Sequence, residues 1–83
     1  MTLEPQRGVE TLRRFGQELI DRWYPGTLVT ADWTGEAFVV QVARGYRLAD
    51  PIWAAPDCLD SVERELSLAR ELLAAAWSLA RHR

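Results

Sequence analysis

The sequence predicts an α+β domain: a helix, a three-stranded antiparallel meander and a long C-terminal helix, with both helices on one face of the sheet. Three observations carry this. Apolar residues recur at steps of three and four near each end of the chain. Residues 27–49 between them alternate with a period of two and are interrupted by glycines at 35 and 45. The 83 residues, 48% of them apolar, provide for one modest core, so residues 1–83 are expected to form a single small domain.

The first helix is predicted over residues 5–23. Pro5 suits a first helical turn. Val9, Leu12, Phe15, Gly16, Leu19, Ile20 and Trp23 share a face, and charged residues fill the remainder. Gly16 sits in the middle of that face and costs about 1 kcal/mol relative to Ala. Close approach of another backbone would justify it. Tyr24-Pro25-Gly26 ends the helix.

The meander follows from alternation. A short turn at Thr34-Gly35 would set Ala31 opposite Phe38 and Val29 opposite Val40. A three-residue loop of Ala43, Arg44 and Gly45 would pair Val42 with Tyr46. Tyr46 and Leu48 would then join Phe38, Val40 and Val42 on one face, with Gly45 left-handed. Residues 50–58 read as a connector framed by Pro51 and Pro56 that carries Ile52 and Trp53.

The long helix, residues 57–83, has more apolar surface than a two-layer fold uses. Leu59, Val62, Leu66, Ala69, Leu73, Ala76 and Ala80 form a seam expected to be core. Leu68, Leu72, Ala75 and Leu79 form a second row beside it. Together they span roughly 200°, where about 100° suffices for a helix on a sheet. The first helix should cover part of the surplus, and a partner or a second copy the rest. Asp57 or Asp60 is the expected cap, with Asp60 and Glu63 fitting a capping box.

Composition narrows function mainly by exclusion. Net charge is −2, too near neutral to indicate a partner class. Residues 50–65 carry five acids and one Arg, and residues 66–83 end in Arg81-His82-Arg83, which complements the helix macrodipole. No apolar run reaches the roughly 18 residues that span a membrane. The N-terminus is polar and unlike a signal peptide. Cys58 is the only cysteine, so no internal disulfide or CxxC site exists. A cytoplasmic location is expected. All ten basic residues are Arg and there is no Asn, as a GC-rich bacterial genome would produce.

Catalytic candidates are few. His82 is the only His and stands next to the C-terminal residue. Cys58 lies near a helix start, where a thiolate is stabilised, but has no basic neighbour to activate it. Asp57, Asp60, Glu63 and Glu65 are accounted for as caps and first-turn acids. No metal site, cofactor or enzymatic activity is expected.

The element order resembles that of the double-stranded RNA-binding domain. That family carries a Lys-rich motif at the start of its last helix, where this chain reads CLDSVERE, an acidic stretch that repels phosphate. Direct nucleic-acid binding is therefore not expected.

The remaining signal is protein binding. Of four Trp, Trp23, Trp33 and Trp77 have places on apolar faces, and Trp53 does not. With Ile52 it either folds back to plug the open end of the core or stands out as an interface anchor. The expected partner-facing residues are Ile52, Trp53, Asp57, Asp60, Leu68, Leu72 and Leu79. The back face of the sheet, with Leu28, Thr30, Val39, Gln41, Ala43 and Ala49, is a second candidate surface. The expected role is a non-enzymatic module, an inhibitor or adaptor that occupies a surface of a larger protein or complex. In size and character, and in no motif, the chain resembles phage and mobile-element inhibitors of bacterial defence such as anti-CRISPR proteins. The alternative is a homodimeric structural or regulatory subunit, associating through the long helix or the sheet's back face.

Overall fold

The computed structural model describes residues 4–81. Helix α1 (Pro5–Trp23) leads into strands β1 (Leu28–Trp33), β2 (Phe38–Arg44), β3 (Arg47–Leu48) and β4 (Ile52–Ala54), and helix α2 (Val62–Arg81) closes the chain. Both helices pack on one face of an antiparallel sheet, the α+β arrangement the sequence predicts. His82 lies outside the described residues.

Helix α1 has the predicted bounds, with Pro5 in its first turn. It buries Leu12, Gly16 and Ile20, while Val9, Phe15 and Leu19 are partly covered. Trp23 is left exposed at the helix end. The space above Gly16 is filled by side chains, not by the backbone expected there. A Cβ would stand 2.8 Å from Val29 Cγ1 and 3.5 Å from Leu72 Cδ1. Gly16 is thus where α1, β1 and α2 meet. Gln17 ties the same helix to the sheet. Its amide nitrogen donates to Thr27 O and its oxygen accepts from Val29 N–H, both at 2.8 Å.

Alternation of apolar residues puts Val29, Phe38, Val40 and Val42 under the helices, all at most 1% exposed. The strand pairing differs from expectation at both turns. Val29 pairs with Val42 and Ala31 with Val40, because residues 34–37 form a four-residue loop closed by the Thr34 hydroxyl and backbone. The shift is two residues, so every side chain keeps its face.

The second turn changes faces. Arg44 opposes Arg47, so the turn is Gly45-Tyr46. Gly45 has φ +62° and Tyr46 no positive φ, the pattern of a type II′ hairpin, which takes Gly first. Tyr46 is therefore fully exposed at the turn, and Leu48, opposite Ala43, lies on the uncovered face.

Residues 50–58 were expected to be a connector, yet they contain strand β4. It continues β3 along the same edge of β2 after a one-residue bulge. Leu48 opposes Ala43, and an unbroken register would bring Pro51 opposite Val40. Ile52 stands there instead. The extra residue reverses the alternation. Ile52 and Ala54 enter the core and Trp53 faces outward opposite Val39.

Helix α2 starts after Ser61, whose hydroxyl accepts from Arg64 N–H at 3.2 Å and whose carbonyl accepts from Glu65 N–H. Ser61 is the cap in place of Asp57 or Asp60. Asp57 instead forms an ion pair with Arg64 at 2.7 Å. The two apolar rows of α2 exchange roles in part. Leu68, Leu72 and Leu79 of the second row are buried, with Ala75 partly so, while of the expected seam Ala76 is buried and Leu59 and Leu73 are partly covered. Val62 and Leu66 are 69% and 54% exposed. Leu68, Leu72 and Leu79 join one core cluster with Val29, Val40 and Val42, and each buried Leu contributes roughly 1.5–3 kcal/mol.

Candidate functional site

The structure disperses the residues expected to face a partner. Leu68, Leu72, Leu79 and Ile52 belong to the core, at 4%, 0%, 7% and 9% exposure, and cannot reach a partner in the folded chain. Asp57 is half-buried and engaged with Arg64. Asp60 is exposed and its backbone N–H donates to Asp57 O. Trp53, 64% exposed, is the apolar member of the set that stays on the surface.

Trp53 lies on the open face of the sheet. Eight side chains occupy that face: Leu28, Thr30, Asp32, Val39, Gln41, Ala43, Leu48 and Trp53. Leu28, Ala43 and Leu48 form a row across the three strand positions at one end, Asp32, Val39 and Trp53 form another at the far end, and Thr30 and Gln41 lie between them. Asp32 is the single charge among the eight. Antiparallel sheets that face water on one side normally present polar residues there. Here Leu28 and Leu48 are 57% and 66% exposed, and no element of the described residues covers them.

The sheet edges differ from this face. On β1 the outward N–H of Val29 is satisfied by Gln17, and that of Trp33 by the Asp32 carboxylate at 2.8 Å. The opposite edge is broken by the bulge and by Pro51, which has no N–H. Such devices discourage strand addition. The face is available to a partner, and the edges are blunted.

A second apolar surface lies on the helix layer. Val62, Leu66 and Trp77 of α2 are at least half exposed. Leu73 joins Trp23 and Tyr24 of the α1 end around a hollow of about 350 Å³. Arg81 stacks over Trp77, with its guanidinium carbon 4.4 Å from the ring centroid. Trp23 and Trp77, both expected on buried faces, point outward.

The chemistry-bearing groups do not converge. Cys58 is buried in the turn before α2, and burial raises its thiol pKa above the usual value, with the Asp57 and Asp60 charges adding to the effect. That environment opposes thiolate formation. A groove of about 890 Å³ between the β3–β4 edge and α2 is framed by Arg47, Asp50, Pro51, Glu71, Ala75 and Ser78. Among the described residues no three His, Cys, Asp or Glu side chains come close enough to hold a metal ion. No described helix is long and apolar enough to cross a membrane.

Comparison with family models, characterised proteins and solved structures finds no match to this chain.

Proposed function

We propose that the protein is a non-enzymatic binding module, an inhibitor or adaptor, that lays the open face of its sheet on a larger protein. The observation that carries this is the composition of that face. Leu28, Val39, Ala43, Leu48 and Trp53 present an apolar surface with one charge among eight positions. Uncharged Thr30 and Gln41 lie between the two apolar ends of the face, and exposed apolar surface set among polar residues marks interaction sites. Trp53 is the natural anchor, since exposed Trp side chains supply much of the binding energy where they are buried by a partner. The blunted edges favour docking by the face over addition of a strand. The specific form we propose is an anti-defence inhibitor of the phage or mobile-element kind, working in the cytoplasm by occupying a surface of its target.

The test is affinity capture from the native host with mass spectrometry, comparing the wild-type chain with Trp53→Ser and Leu28→Glu. Both positions are exposed, so the variants should remain folded by circular dichroism. One protein, or one complex, should be retained by the wild-type chain and lost from both variants. Leu66→Glu, on the opposite layer, should retain it. Equal capture by all four chains would remove the sheet face from consideration.

A further inference from the structure

We propose that a second copy of this chain docks on the outer stripe of α2, with the two α2 helices antiparallel across a two-fold axis. The stripe consists of Val62, Leu66, Ala69, Leu73, Trp77 and Ala80. Its steps of four, three, four, four and three approximate the a/d spacing by which helices interlock. Val62, Leu66 and Trp77 are exposed, so the seam is available in the folded chain.

Three features of the stripe select a second copy in this orientation. The first is size. With the axis midway between residues 69 and 73, Ala69 meets Leu73 of the second copy and Val62 meets its Ala80. These two pairs set a large side chain against a small one, and Leu66 and Trp77 of the second copy meet on either side of them. The second is charge. On one flank of the stripe the helix carries Glu63 in its first turn and Arg81 in its last, both exposed. An antiparallel pair sets Glu63 beside Arg81 of the second copy twice over. In a parallel pair the two copies of this flank would lie on opposite sides of the seam, so Glu63 and Arg81 of the second copy would not meet. The third is the hollow bounded by Trp23, Tyr24 and Leu73 next to the seam, which offers a hole for a knob from the facing helix. The same flank carries Arg70 at its centre, where it meets its own copy across the axis. This like-charge contact weakens the pair and provides a distinctive test.

Sedimentation equilibrium over a concentration series, with the full chain, reads the dimer constant directly. The wild-type chain should dimerise. Leu66→Glu should weaken association by about tenfold or more and keep the circular dichroism of the folded chain. Glu63→Arg should weaken it, and adding Arg81→Glu should restore it. Arg70→Gln should tighten it several-fold, which no merely structural role for Arg70 would produce. Trp53→Ser, on the opposite face, should leave it unchanged. A wild-type chain that stays monomeric at its highest soluble concentration overturns the proposal, as does a dimer indifferent to Leu66→Glu or one dissolved by Trp53→Ser. Partner capture through the sheet face does not depend on any of these outcomes.

Discussion

Helices α1 and α2 have similar lengths, 19 and 20 residues, and lie side by side on the same sheet face, yet they use their apolar residues differently. Helix α1 has one stripe, and the stripe is its contact: Leu12, Gly16 and Ile20 are buried, with charged residues around the rest. Helix α2 has two rows, and only one of them is core. Where apolar residues are just sufficient, their periodicity identifies the buried face. Where they are in surplus, periodicity identifies both candidate faces and does not choose between them. The unused row is then left for solvent or a partner.

The largest test of this difference is a pair of truncations on α2. Leu72→Ala removes a fully buried side chain beside Gly16 and should cost about 2–5 kcal/mol. Leu66→Ala, on the exposed row, should change monomer stability by no more than about 0.5 kcal/mol. Urea unfolding at low protein concentration measures both. Similar losses at the two positions would mean that both rows are core and the contrast with α1 is false.

Gly16→Ala tests the other side of the contact. The substitution gains about 1 kcal/mol of helix propensity. Its new methyl would stand 2.8 Å from Val29 Cγ1, and Val29 is fully buried and stiff at χ1. Overpacking of this kind costs about 1–3 kcal/mol, so the net change should be a destabilisation of about 1 kcal/mol. Combining it with Val29→Ala should give a smaller loss than the two single changes added together. Strict additivity would show that α1 does not press on β1 at Gly16.

These contacts show which parts of the fold are legible in the sequence. Helix α1 is, down to its terminal residues, because Pro5 and the stop at Tyr24-Pro25-Gly26 are local signals. The meander is legible in its faces wherever an error of register is even. The β1–β2 pairing differs from expectation by two residues and still buries Val29 and Val42. It fails where the error is odd: at Gly45-Tyr46, which turns Leu48 outward, and at the bulge before Ile52, which turns Ile52 inward. Both hide in short segments whose alternation is too brief to carry a phase. Trp53 is legible in the sequence only as an aromatic with no place on an apolar face, because a Pro-framed segment fits a plug of the core's open end as well as a surface anchor. The face it belongs to became visible only once β4 was paired, since that pairing places Trp53 beside Val39.

The helices also differ at their starts. At Glu4 no side chain caps α1, and Pro5 occupies the first turn. At Ser61 the hydroxyl accepts from Arg64 N–H. Ser61→Ala should therefore cost about 1 kcal/mol, as lost caps do, while Glu4→Ala should have almost no effect. Ser61→Asp should retain most of the stability. Hydrogen exchange of the first α2 amides locates the change. Equal responses at Glu4 and Ser61 would make the two starts equivalent.

The smallest expected effect is at high pH and again separates the α2 start from α1. Cys58 is buried just before α2, whereas the buried side chains of α1 are apolar. Burial raises the Cys58 pKa above its ordinary value of 9.0, and the charges of Asp57 and Asp60 raise it further, against a backbone hydrogen bond that lowers it. The folded chain thus holds this proton more tightly than the unfolded chain does. The associated stability is complete below the ordinary thiol pKa and is lost as pH rises through the higher folded value. Thermal melts from neutral to strongly alkaline pH, compared with Cys58→Ala, isolate this contribution. The gap between the two chains should be constant up to about pH 8 and should then shift against the wild type as its thiol is forced to ionise. Hydrogen exchange should place the loosening at the first turn of α2, with α1 unaffected. A gap that stays constant across the whole range would mean that the thiol ionises as freely in the folded chain as in the unfolded one.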